Sequence, residues 1–147
     1  MHSTIITKSA EETADVGFQM ATSVKKHTYK TPRVYCLYGD LGSGKTTFTQ
    51  GFARGLGFVG RLLSPTYLIL RRYGVPNGWV LYHLDLYRAN SLSDLKGIGL
   101  DEILTDENGC VIIEWAEKMG KLLPVNRTDI HFSLHSDASH HIQIRHS

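Results

Sequence analysis

Gly39-Asp40-Leu41-Gly42-Ser43-Gly44-Lys45-Thr46 is the stretch that decides how this chain folds. It satisfies G-x-x-x-x-G-K-[ST] at every fixed position, the spacing of a loop that wraps phosphate oxygens with its own backbone N–H groups. Gly42 and Gly44, with Ser43 between them, leave room where the main chain must come closest to an anion. Lys45 supplies an ammonium group for the β- and γ-phosphates of a nucleoside triphosphate, and the Thr46 hydroxyl supplies one ligand to Mg²⁺. Thr47 can donate to the α-phosphate. The plainer reading, a glycine-rich strand-to-helix turn without a ligand, is weakened by what flanks the loop.

Before the loop, Arg33 to Tyr38 is β-branched and aromatic with little polarity, as expected of a strand covered on both faces. After it, Phe48, Phe52 and Leu56 recur at helical spacing and Gly57 follows as a stop, so the spacing predicts a helix that starts inside the loop. Buried strand, phosphate loop and helix are thus consecutive. The helix N-terminus adds unpaired amides and a partial positive charge at the place where an anion would sit.

Farther out, Ser9 and Glu12 stand in capping-box spacing, and Val16, Met20 and Val24 predict an amphipathic helix that ends before Lys30 at the Thr31-Pro32 break. Tyr67 to Tyr73 and Trp79 to Leu86 read as an antiparallel hairpin around Gly74-Val75-Pro76-Asn77-Gly78. Ser91 and Asp94 suit a helix start, with two short helical pieces before the turn at Asp106 to Gly109. Cys110 to Ile113 is a continuous apolar run that reads as a second central strand. Ile130, Phe132 and Leu134, then Ile142 and Ile144, alternate with polar residues and predict a closing hairpin. Its five histidines lack metal-ligand spacing and read as solvated strand residues.

A phosphate loop needs a carboxylate at the end of a neighbouring buried strand, and two places supply one. Glu114 ends the run Cys110 to Ile113, the more apolar and therefore more central strand, and is the metal-side acid. Asp85, in His83-Leu84-Asp85-Leu86-Tyr87-Arg88, either positions the attacking water or completes the metal shell, with an ion pair to Arg88 as the structural alternative. His83 reads as a packed strand residue. Ser64-Pro65-Thr66 offers a further hydroxyl near the γ-phosphate at Thr66, or simply opens an edge strand. Trp115 is placed beside the nucleotide or serves as an aromatic anchor.

Composition sets bounds rather than a function. At 147 residues, with 41% hydrophobic and 20% charged residues, the chain suits one folded domain spanning residues 1–147 and excludes a disordered or coiled-coil class. A net charge of +2 falls short of a nucleic-acid-binding footprint. Two cysteines, Cys36 and Cys110, lie in apolar strands; without a secretory signal a reduced pair is expected. No stretch is long and apolar enough for a bilayer, so the expectation is a soluble, cytoplasmic protein with no membrane contact.

The phosphate loop with Thr47, then Ser64-Pro65-Thr66-Tyr67, then His83-Leu84-Asp85-Leu86-Tyr87-Arg88, then Ile113-Glu114-Trp115, in that order, resembles the TsaE (YjeE) family from about Ser9 to Leu134. The resemblance implies an α/β fold, a P-loop NTPase-like domain with a central mixed β-sheet flanked by helices. It also implies an ATPase required for N6-threonylcarbamoyladenosine in tRNA, working with the partners TsaB and TsaD on Mg²⁺ and ATP. Residue by residue, it gives Thr46 and Glu114 to magnesium, Gly42 to Thr47 to the phosphates, Asp85 to hydrolysis, and Thr13 to a position near the adenine. Ala116 departs from the proline usual after I-E-W. Contact with tRNA is expected through the partner proteins, because Arg54, Arg61, Arg71, Arg72 and Arg88 are scattered.

Two rival readings use the same loop. A small-molecule kinase would carry an arginine-rich lid, whereas Leu92 to Gly109 is acidic and apolar. A GTP-dependent switch would read guanine with N-K-x-D, which Asn126-Arg127-Thr128-Asp129 approaches but breaks at the lysine, and it precedes a strand instead of following one.

Overall fold

The computed structural model describes residues 2–24, 33–62 and 69–147. Its frame is one mixed seven-stranded sheet in the order β1-β7-β6-β2-β5-β4-β3, where β1 is His2–Thr7, β2 Arg33–Tyr38, β3 Leu70–Gly74, β4 Val80–Asp85, β5 Gly109–Glu114, β6 Thr128–Leu134 and β7 His140–His146. The centre is parallel: β2 pairs with β5 and β6, and β4 pairs with β5, all in one direction. The two margins are antiparallel, β3 on β4 at one end and β7 with β1 beyond β6 at the other. The mixed sheet flanked by helices expected above is therefore present, and β5 is central, buried along its whole length.

Each face of the sheet carries its own core, as the two-sided burial of parallel strands requires. Tyr35, Leu37, Leu81 and Ile112 point to helices α1 (Ala10–Val24) and α2 (Lys45–Gly55), where they meet Phe48, Phe52, Leu56 and Ala21. Val34, Cys36, Leu84, Val111 and Ile113 point the other way, onto 3₁₀ turns at Leu92–Leu95 and Ala116–Leu122 and the short helix α3 (Leu100–Ile103). Cys36 and Cys110 belong to opposite faces and are both free. Burial pushes each thiol up to about 12, so neither is a nucleophile at neutral pH.

Helix α1 lies against α2 at backbone contact. A Cβ built on Gly51 would stand 1.8 Å from the Ala14 carbonyl oxygen, and one on Gly17 would stand 2.2 Å from that of Phe48. This closeness brings the start of α1 up to the phosphate loop. Ser9 caps α1 by accepting the Glu12 N–H at 3.1 Å, while the Glu12 carboxylate accepts from Lys8 N–H instead of closing the expected box on Ser9. The helix predicted to run toward Lys30 is described to Val24; the Thr31-Pro32 break lies outside the described residues.

Sequence reasoning passed over β1. Its residues are exposed up to Thr7, and Ile5-Ile6 breaks the alternation that announces a half-buried strand. The strand exists because β7 offers it a ladder, with Ile5 opposite Ile142 and Thr7 opposite His140. Local pattern carries no trace of such pairing.

Candidate active site

The site forms where the parallel strands end. β2 runs out at Tyr38 into the phosphate loop, and the first helical hydrogen bond of α2 runs from the Phe48 N–H to the Gly44 carbonyl at 2.9 Å. The amides of Lys45, Thr46 and Thr47 therefore have no acceptor within the helix. Gly44 has φ 113°, a backbone conformation that residues with a side chain rarely adopt, so only glycine holds this turn without strain. A ring of amides at a helix N-terminus is what binds an anion.

Lys45 is buried at the foot of the loop. Its ammonium donates to the carbonyl of Gly39 and, at 2.9 Å, to that of Asp40, and it lies 4.5 Å from the centre of the Trp115 ring. Burial lowers its pKa, and the carboxylates of Glu114, Glu117, Asp85 and Asp40 oppose that shift. Trp115 reaches this position from a left-handed backbone, φ 60°, which is costly for a bulky residue. Its ring also packs on Tyr87, 5.2 Å away between centroids.

The acidic wall comes from β4 and β5. Their parallel register sets Asp85 beside Glu114, and both strands end there. Thr46, Thr49, Gln50, Arg61, Leu62, His83, Asp85 and Glu114 line one cavity of about 300 Å³. The Thr46 hydroxyl lies 3.4 Å from Glu114 Oε1, and the other oxygen of Glu114 takes a 2.5 Å hydrogen bond from His83 Nε2. Burial raises the pKa of Asp85; the Tyr87 N–H, donating at 3.1 Å, counters this and the nearby Glu114 charge adds to it. Among the described residues Asp85 forms no ion pair with Arg88; the ion pairs are His83–Glu114 and Arg127–Asp129.

A hydroxyl and two carboxylates on one cavity, with the hydroxyl following directly on a phosphate cradle, suit a hard cation held with a triphosphate. A sequence model of the family described as threonylcarbamoyl adenosine biosynthesis protein TsaE matches residues 7–143. The chain belongs to the TsaE family. It is 38% identical over 115 residues to the tRNA threonylcarbamoyladenosine biosynthesis protein TsaE of Haemophilus influenzae, covering 78% of this chain and 71% of that one. It is 33% identical over 139 residues to the protein of the same name from Treponema pallidum, covering 95% and 97%. The crystal structure of Bacillus subtilis YdiB superposes with a TM-score of 0.74 at 32% identity, covering 98% of this chain and 84% of that one. The fold is thereby that of a P-loop NTPase-like TsaE protein.

The structure brings together Gly42, Ser43, Gly44, Lys45, Thr46, Asp85, Glu114 and Trp115 from segments far apart in this TsaE chain. Thr46 is exposed to the cavity and Thr47 is half-buried beside it. Thr13 sits under the loop, buried, its hydroxyl paired with that of Thr7 at 2.6 Å and its methyl group toward Gly44. Thr66 and the rest of Ser64-Pro65-Thr66 lie outside the described residues. Two contacts were missed from sequence. His140 Nδ1 stands 2.7 Å from the Ser43 carbonyl oxygen, so it is not a merely solvated strand residue, and the Gln50 amide brackets the backbone of Leu62. Neither leaves a local signature, since His140 lies 97 residues from Ser43. Asp129, the acid of the apparent guanine-reading motif, is committed to the Tyr38 hydroxyl and Arg127. Among the described residues no group of three or more His, Cys, Asp or Glu is placed to hold a metal ion, and no helix is long and apolar enough to cross a membrane.

Proposed function

We propose that this TsaE protein is an ATP hydrolase that uses Mg²⁺ and serves the synthesis of N6-threonylcarbamoyladenosine in tRNA, in a complex with TsaB and TsaD. The observation that carries the reading is that Thr46, at the end of the phosphate loop and next to the buried Lys45, lines one cavity with the carboxylates of Asp85 and Glu114. The family description and the names of the relatives supply the pathway.

The amides of Gly42 to Thr47 hold the phosphates, and Lys45 exchanges its carbonyl partners for the terminal phosphoryl oxygens. Thr46 and Glu114 hold Mg²⁺, which when bound offsets the charge on those oxygens. Asp85, whose burial makes it a better proton acceptor than an ordinary carboxylate, orients the attacking water. Arg61 is the one arginine among the described lining residues, and the isolated chain turns over slowly until partners complete the site. Contact with tRNA runs through those partners. The protein works in the cytoplasm.

Titration with ATP, GTP and ADP, with and without Mg²⁺, followed by Trp115 emission, tests the site. Saturation by adenine nucleotides with a magnesium-dependent change is expected. Equal response to GTP, or none to any nucleotide, would remove the reading. ATP hydrolysis should rise on adding TsaB and TsaD, and a tight, salt-dependent complex of the chain alone with tRNA would contradict the assigned division of labour.

A further inference from the structure

His83 is a buried histidine that the reading above does not use. It lies on β4 two residues before Asp85, and alternation along a strand puts both on one face. Its register partner on β5 is Ile112, so Glu114 is diagonally ahead on that same face. The ring crosses that diagonal: Nε2 meets Glu114 Oε2 at 2.5 Å, and both side chains are 4% exposed. An ionised carboxylate only accepts, so Nε2 carries the proton in this bond. The remaining ring nitrogen, Nδ1, is buried and has no hydrogen-bond partner among the described residues. A side chain present only to fill this slot would do so at lower cost as leucine or phenylalanine, since an unpartnered buried nitrogen is unfavourable.

The consequence falls on the other carboxylate oxygen. A carboxylate at the end of a strand rotates about its last bonds unless something fixes it, and His83 holds Oε2. Oε1 is thereby turned toward the Thr46 hydroxyl, 3.4 Å away. Thr46 comes from the phosphate loop and Glu114 from β5, so their relative placement depends on a side chain of the third strand, β4.

We propose that His83 is the positioning residue for Glu114: its Nε2–H fixes one carboxylate oxygen so that the other, with Thr46, is preset for the magnesium ion of the nucleotide complex. This rests on the reading of Thr46 and Glu114 as the metal-side pair. Histidine reaches the cation through the carboxylate and does not touch it, the arrangement that tunes many metal ligands from behind.

The test uses the full chain carrying Trp79→Phe, so that emission reports Trp115 alone. Mg²⁺ is titrated into protein saturated with ADP, and ADP is separately titrated in excess chelator. His83→Leu removes the donor, whereas His83→Gln keeps an N–H at similar reach. The expected result is a roughly 10- to 100-fold rise in the Mg²⁺ half-point for His83→Leu, recovery of most of it in His83→Gln, and unchanged ADP affinity in chelator. In a Glu114→Ala background, which carries its own Mg²⁺ half-point, adding His83→Leu should shift that value by less than about twofold, because the carboxylate it positions is gone. If His83→Leu misfolds by circular dichroism, His83→Met, which also lacks the N–H donor, replaces it in both backgrounds and is judged by the same criteria. A parent that responds to Mg²⁺ while both His83 variants match it, or a His83→Leu effect that persists in full without Glu114, overturns the inference and leaves the magnesium reading intact. A parent without any Mg²⁺ response removes the magnesium reading itself, and the inference with it.

Discussion

The two walls of the site are built on different terms. The phosphate wall is a single run, residues 39–47, whose chemistry resides in backbone amides and one lysine. The acidic wall is assembled from β4 and β5, and neither Asp85 nor Glu114 has a place in the site until the parallel register sets them side by side. A loop of contiguous residues tolerates little change in the chain itself. A wall made by register tolerates side-chain change but depends on the sheet.

The largest effect should come from the phosphate wall. Lys45→Ala is expected to lower ATP turnover by at least about 100-fold, measured by phosphate release. Its melting temperature should stay within about 2 °C of the parent, since a buried ammonium with a depressed pKa contributes little net stability. Turnover retained in this variant would mean that the two walls do not share a reaction.

The loop also depends on α1 through its contact with α2, and Gly51→Ala should show how firmly. The added methyl would meet the Ala14 backbone at 1.8 Å, where nothing flexible can yield. Overpacking of this kind costs about 2–3 kcal/mol, visible as a shifted denaturation midpoint. A midpoint equal to that of the parent would show that α1 can step away from the loop.

Asp85→Asn probes the acidic wall alone. ATP affinity should be spared while hydrolysis slows by about 10- to 100-fold; equal losses in both would make Asp85 a metal ligand. Stability should move the other way. Because burial raises the folded-state pKa above the ordinary aspartate value of about 3.8, the folded protein keeps this proton longer than the unfolded chain. Wild type and variant should therefore be equally stable at pH below that value, and the variant should gain as pH rises through the raised pKa. Melting curves across pH 3 to 8, about, would show the sign, and a variant less stable at neutral pH would contradict it.

The smallest effect belongs to the core beneath both walls. Cys36 and Cys110, raised to about 12, should give no thiol reaction with a disulfide reagent until the protein unfolds. Fast reaction in the native state would show that the central strands open readily.

Legibility followed the same division. The phosphate loop, its flanking β2 and α2, and the apolar strand β5 could be read directly, because glycine placement, helical spacing and continuous apolar runs are local properties. Glu114 could be found as the acid at the end of a buried strand. His83 could be seen but not assigned, since its partner is 31 residues away across a strand pair. β1 and His140 left no mark, because β1 is defined by its ladder with β7 and His140 by the Ser43 carbonyl, 97 residues away.

By itself, the sequence determined that a backbone cradle for phosphate exists between one buried strand and one helix, since the glycine, lysine and threonine spacing specifies that geometry within nine residues. Only the tertiary structure decided which carboxylates face the cradle and how they are held. Strand order and register are set by long-range pairing and burial, and those bring Asp85, Glu114 and His83 to one end of the sheet from segments that have no contact along the chain.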